Sequence, residues 1–189
     1  DYDYIFRCTE LAGKIVHIPR VLYHWRVHSA STADNPASKL YAYEAGKKAI
    51  EGNLARCGEE GTVTLRSDYG FYDVDYKLQG TPLVSILIPN KDQADTLRTC
   101  LESIKKKCMY PSYEILIIEN NSTEPETFAG YEELERQDAR IRVLHYEGGF
   151  NFSAINNFGA AHAKGDYLLL LNNDTEMIHG DCLRQLLGP

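Results

Sequence analysis

The sequence predicts an α/β fold with a mostly parallel sheet, preceded by a smaller α+β segment. Three observations lead there. The runs VSILIP (84–89) and YEILII (113–118) are apolar on consecutive residues rather than on alternate ones, as strands covered on both faces require. From Leu83 onward, strand-like and helix-like periodicities alternate, which is the pattern of a parallel sheet with helices on both faces. Residues 1–80 have a different rhythm, mixed and aromatic, and hold eight of the thirteen tyrosines.

Taken in order, residues 2–12 carry Ile5, Cys8, Leu11 and Ala12 at helical spacing. Residues 14–19 and 21–27 read as two short strands broken at Pro19, and Trp25 and its tyrosine neighbours as core. Residues 31–36 have loop chemistry. Leu40, Tyr43, Ile50, Leu54 and Cys57 then form one face of a long helix that Gly58 and Gly61 end. Residues 62–66 and 71–78 alternate as a hairpin about Asp68, Tyr69 and Gly70, and Gly80, Thr81 and Pro82 make the linker. After the strand at 84–89, Leu97, Cys100, Leu101, Ile104 and Cys108 give a helix stripe. After the strand at 113–118, Pro125 opens a helix with Phe128, Tyr131 and Leu134, capped by Ser122 or Thr123. The third strand is 142–146. Ser153 is expected to cap a helix bearing Ile155, Phe158 and Ala161 that stops at Gly165, and the fourth strand is 166–171.

Composition narrows the function classes. The 189 residues are 43% hydrophobic with a formal net charge of −7, enough for a core and contrary to the basic face of a nucleic-acid binder. No apolar run is long enough to span a bilayer, and no positively charged start with an apolar core marks a signal peptide, so a cytoplasmic protein is expected. The five cysteines contain no CxxC pair and read as buried thiols. The chain starts at Asp1 without a Met, which suggests a piece of something longer.

In open α/β sheets ligands bind at the carboxyl ends of the strands. Those ends are Pro89, Asn90, Lys91 and Asp92; Glu119, Asn120, Asn121, Ser122 and Thr123; and Asn172, Asn173, Asp174, Thr175 and Glu176. None is glycine-rich, which argues against a dinucleotide-dependent oxidoreductase and a P-loop enzyme. Asp174 and Glu176 with the Asn172 amide could give oxygen ligands to Mg²⁺ or Mn²⁺, or could form an ordinary polar turn before a helix near Ile178. Glu119 and Asn120 could bond a base edge, or could serve as a turn and cap before the Pro125 helix. Asn156 and Asn157, adjacent in a helix, want partners, and Lys164, Gly165 and Asp166 read as a helix stop.

The blocks VSILIP (84–89), EILIIENNST (114–123) and NFGAAHAKGDYLLLLNND (157–174) together resemble, in order and spacing, the nucleotide half of a family 2 glycosyltransferase, whose fold is the Rossmann-like GT-A fold. The resemblance implies that Pro89, Asn90, Asp92, Glu119, Asn120, Asn157 and Asn173 hold a nucleotide-diphosphate sugar donor. It implies a divalent metal, Mg²⁺ or Mn²⁺, at the family's Asp-x-Asp position, with Asp174 as main ligand and Asn172 in place of the first Asp. Lys91 stands where an aromatic is usual, and Asn156 where a basic residue is frequent.

The segments DYDYIFR (1–7) and HIPRVLYHWRVH (17–28) look like the end of such a domain. They imply Asp1 as the catalytic base that deprotonates a glycan acceptor, Arg26 near the diphosphate and His28 near the metal; as a plain sequence, Asp1 would be a helix N-cap. The expected organisation is 1–37 as the C-terminal piece of an upstream module, 38–82 as a linker helix and hairpin, and 83–189 as the nucleotide half of the next module. Expected activity is inverting, metal-dependent sugar transfer to a polysaccharide or other glycan, with this piece alone inactive or very weak. The rival is a non-catalytic nucleotide-sugar-binding or docking module, motivated by Asn172, Lys91 and Asn156. Both leave open a homodimer by exchange of residues 1–80 and a peripheral location at the inner face of a membrane through the parent protein.

Overall fold

The computed structural model describes residues 2–24, 26 and 39–188. The chain divides into two compact units at the boundary between Lys77 and Leu78.

The first unit holds helices α1 (Tyr2–Leu11) and α2 (Leu40–Cys57) and an antiparallel hairpin of β1 (Gly61–Leu65) and β2 (Tyr72–Tyr76). Gly58 closes α2 in the left-handed conformation, φ 75°, with its N–H on the Ala55 carbonyl. Ala49, Leu54 and Val63 are its buried apolar side chains among the described residues. Helix α1 is tied to α2 by charge, since Glu10 accepts from Arg56 Nε and Nη2 at 2.8 Å each and from Asn53 Nδ2 at 2.7 Å. The Tyr72 hydroxyl donates to the Tyr43 carbonyl at 2.8 Å, next to Gly46, where an added Cβ would collide with that ring.

The second unit is a four-stranded, all-parallel sheet in the order β5-β4-β3-β6, built from β3 (Val84–Asn90), β4 (Tyr113–Glu119), β5 (Ile141–His145) and β6 (Tyr167–Leu170). Helices α3 (Ala94–Lys107) and α4 (Pro125–Gln137) follow β3 and β4 as the sheet grows in one direction. Helix α5 (Phe152–His162) carries the chain back across the sheet to β6, and right-handed crossovers therefore put it on the other face. The core records this division. Ile86, Ile88, Ile115 and Ile117 pack with Leu97, Leu101 and Ile104 of α3, Tyr131 of α4 and Leu183 of the short α6 (Cys182–Leu186), whereas Leu87, Leu116 and Ile118 pack with Ile155 of α5. Gly159 lets α5 lie close, since a Cβ there would stand 3.0 Å from Ile118.

Several expectations are corrected. Residues 14–24 form no strand, because Ile15, Val16, Ile18, Val21 and Leu22 are all exposed and no described strand lies alongside to supply a hydrogen-bond ladder. Trp25 and Val27 lie outside the described residues. The cap of α5 is Asn151, whose Oδ1 accepts from Ala154 N at 3.0 Å, and Ser153 falls inside the first turn. That helix ends at His162, with Ala163 as its C-cap, and not at Gly165, because the sheet captures the next amides: Lys164 N donates to Glu114 Oε1 and Gly165 N to Ser85 Oγ. Neither Ser122 nor Thr123 caps α4, whose N-cap is Glu124 with no side-chain cap bond. Cys8 and Cys57 are exposed on their helices, and Cys100 is the buried thiol.

Candidate functional site

The order β4-β3-β6 reverses the direction of chain progression between β3 and β6, and such a reversal opens a crevice at the carboxyl ends of the two strands. Asn90 is the last residue of β3 and pairs in register with Glu119, the last residue of β4. Beyond β6 come Asn172, Asn173 and Asp174. The crevice is bridged by the Asn173 amide, whose Nδ2 donates to Asn90 Oδ1 at 2.6 Å.

Beneath this bridge lies a buried polar network. Asn90, Glu119 and Tyr131 are each no more than 4% exposed. Asn90 Nδ2 donates to the Asp92 carbonyl at 2.8 Å and to the Tyr131 hydroxyl oxygen at 2.7 Å. The Tyr131 hydroxyl in turn donates to Glu119 Oε2 at 2.7 Å. Glu119 also accepts from Ser122 N and Ser122 Oγ at 2.5 Å each. Its carboxylate is thus engaged in folding its own loop, the turn-forming role among the two sequence readings. Burial pushes the Tyr131 phenol well above its ordinary range.

The loops above are held just as closely. Asp92 Oδ1 accepts from Thr123 N at 2.7 Å and Glu124 N at 3.0 Å, and Asp92 N donates to Ser122 Oγ at 2.7 Å. The two amides, Glu124 first, hold the Asp92 carboxyl below the usual carboxylate range. Asn120 Nδ2 donates to Gly148 O at 2.8 Å and to Tyr146 O at 3.3 Å, and Asn121 Nδ2 to the same Gly148 carbonyl at 2.9 Å. Asp92, Gln93 and Asn121 all take left-handed backbone, with φ between 52° and 59°. Non-glycine residues seldom adopt it, and such strain gathers where a loop is shaped for a task.

The structure therefore brings Asn90, Asp92, Glu119, Asn120 and Asn173 together, with Pro89 inside β3 and half-buried. Asn157 is exposed on α5, and Arg26 is exposed in the first unit. Asp1 and His28 lie outside the described residues. Asn156 is 5% exposed; its Nδ2 donates to the Phe152 carbonyl at 2.8 Å, and its Oδ1 is buried without a partner. Sequence reading placed Ser122 in the run after the second buried strand but gave it only a helix-cap role, and missed Tyr131 as a member of the site. Tyr131 sat on an apolar helix stripe, where only its hydroxyl signals that a buried tyrosine must find a partner.

For a divalent cation the donor set is sparse. Among the described residues no group of three or more His, Cys, Asp or Glu side chains could hold a metal ion. Asp174 is exposed beside the switch point, and the Asn172 carbonyl turns inward to accept from Thr175 Oγ1 at 2.8 Å. One exposed carboxylate fits a Mg²⁺ or Mn²⁺ that takes its other oxygens from phosphate and water, not a cage made by the protein alone.

Residues 85–189 match the family model described as Glycosyl transferase family 2. Protein y4gI of Sinorhizobium fredii is 39% identical over 191 residues, covering 100% of this chain and 21% of that protein. The O-antigen biosynthesis protein RfbC of Myxococcus xanthus is 41% identical over 187 residues, covering 99% of this chain and 14% of that protein. Among solved structures, the mannosyltransferase PcManGT from Pyrobaculum calidifontis, in complex with GDP-Man and Mn²⁺, superposes with a TM-score of 0.52 at 15% identity, over 81% of this chain and 43% of that one. That likeness is one of fold.

Proposed function

The chain belongs to glycosyl transferase family 2, and from that premise we propose that residues 78–187 bind the nucleotide-diphosphate sugar of a metal-dependent, inverting sugar transfer to a glycan. One observation carries the reading: the Asn173–Asn90 bond joins the loops on both sides of the switch point, where a parallel sheet binds its ligand. The name of the Myxococcus relative supports a polysaccharide acceptor, and the ligands of the Pyrobaculum structure support a nucleotide sugar with Mn²⁺.

In this reading Pro89, Asn90, Asp92, Glu119 and Asn120 shape the nucleoside end, with Glu119 building the loop from below and Asn120 presenting its amide oxygen. Asn173 and Asn157 flank the diphosphate. Asp174, with Asn172 beside it, holds the divalent cation, which when bound offsets the charge of the departing diphosphate. Asp1, Arg26 and His28 serve as base, diphosphate contact and metal ligand in an upstream module whose C-terminal piece is residues 1–37, joined through 38–82. Support for that tandem order comes from the relatives, since both match this whole stretch continuously inside far longer chains. Exchange of residues 1–80 between two copies is the matching mode of self-association.

Calorimetric titration with UDP and GDP, with and without Mn²⁺, tests the donor site. Mn²⁺-dependent binding is expected, weakened tenfold or more by Asp174→Ala. No binding of either nucleotide under any condition overturns the reading and leaves a docking module.

A further inference from the structure

The polar network has a direction, and Tyr131 sets it. A carboxylate can only accept, so the Tyr131 O–H must donate to Glu119, and the phenol oxygen is left to accept from Asn90 Nδ2. The Asp92 carbonyl takes the other amide hydrogen of Asn90. With both hydrogens committed, Asn90 Oδ1 must face the crevice, where it accepts from Asn173. The second branch runs the same way: Asp92 N donates to Ser122 Oγ, which donates to Glu119. One buried carboxylate thus orients both donor loops, and the phenol is the only link in that relay supplied by a helix.

We infer that Tyr131 is a positioning residue for the donor site, holding the Asn90 amide so that Asn173, and with it the turn carrying Asp174, is fixed across the crevice from the Glu119 loop. The inference rests on the donor-site reading for its purpose, but its geometry can be tested separately. Tyr131 need touch no ligand; its effect passes through Asn90.

The test uses the whole 189-residue chain with side-chain amides observed by ¹⁵N NMR, alongside titration with Mn²⁺ and UDP or GDP. Three variants are compared. Tyr131→Phe removes only the hydroxyl. Glu119→Gln keeps the phenol but leaves a single acceptor oxygen where two served Tyr131 OH, Ser122 N and Ser122 Oγ, so at least one of those bonds is lost. Tyr110→Phe is the control, removing another buried phenol whose hydroxyl donates to the Pro82 carbonyl at 2.6 Å, near the opposite end of the sheet.

Expected for Tyr131→Phe and Glu119→Gln are a tenfold or greater loss of exchange protection at the Asn173 amide and a fivefold or greater loss of nucleotide affinity. Tyr110→Phe should lower only the unfolding temperature. If Tyr131→Phe behaves as Tyr110→Phe does, with Asn90 and Asn173 unmoved or affinity unchanged, the inference is overturned. Should Tyr131→Phe fail to fold, Glu119→Gln is read against Ser122→Ala, which cuts only the Ser122 branch: loss at the Asn173 amide in the first and not in the second upholds the inference, and no loss in the first or equal loss in both overturns it. If the unmodified chain binds neither nucleotide, the donor-site reading falls, and the amide protection alone decides for or against Tyr131 as the residue that orients Asn90.

Discussion

Glu114 shows how a single carboxylate fastens the end of the sheet opposite the crevice at the strands' carboxyl ends. It is 8% exposed and accepts from Ser85 Oγ at 2.7 Å, Lys164 N at 2.7 Å and Arg142 Nη2 at 3.1 Å. Burial alone would raise its pKa, but the bonds from Ser85, Lys164 and Arg142 outweigh burial and hold the carboxyl below its usual range. A depressed carboxylate stabilises the fold above its unfolded value of about 4.3, and that contribution is lost as pH falls through the folded value. Glu114→Ala should therefore cost about 3 kcal/mol at pH 7, the low end for breaking a buried pair, because the Arg142 side chain is 34% exposed. Glu114→Gln should cost less, and urea unfolding between pH 3 and 7 should show its gap to the parent chain closing below about pH 4. A gap independent of pH would refute the charged role. None of this was readable in the sequence, where Glu114 is one polar residue in a buried strand and Arg142 lies 28 positions away. The same holds in the site itself: Asn90 and Asn173, found by position after their strands, reveal their bond only once β3 and β6 are neighbours.

At the scale of elements, legibility followed burial. The strands with continuous apolar runs, β3 and β4, are buried along nearly their whole length and were placed within a residue by pattern alone. The stretch at 14–24 carries equally strand-like residues, yet pattern failed there because a strand exists only with a partner. Helix termini were misjudged for a related reason: local rules name the usual capping residue, while the actual ends are set by whichever group reaches the free amides. Asn151 does so for α5, and Glu114 with Ser85 takes the amides beyond its last turn. Asn151→Ala should accordingly destabilise the fold by about 1 kcal/mol, with Asn151→Asp nearly neutral, measured by thermal or urea unfolding. Ser153→Ala serves as comparison and should change stability little, reversing the ranking that sequence spacing suggests.

For the molecule as a whole, the division at Lys77 and Leu78 separates two sets of proposed functional residues. Pro89, Asn90, Asp92, Glu119, Asn120, Asn157, Asn172, Asn173 and Asp174 all belong to the second unit, and that unit has its own two-faced core around the sheet. Arg26 belongs to the first unit's sequence, as do the positions of Asp1 and His28. If those three serve a different module, as the tandem order implies, then donor binding by this chain owes them nothing. A protein of residues 78–187 should fold cooperatively and bind Mn²⁺ with UDP or GDP within about threefold of the full chain, a difference below about 0.7 kcal/mol. In the same assay Arg26→Ala in the full chain should be silent. A tenfold loss in either would mean that the first unit contributes to the donor site after all, and the residues at 1–37 would have to be assigned to the same module as Asp174. The two outcomes separate a chain that joins pieces of two transferases from one that assembles a single site from both of its units.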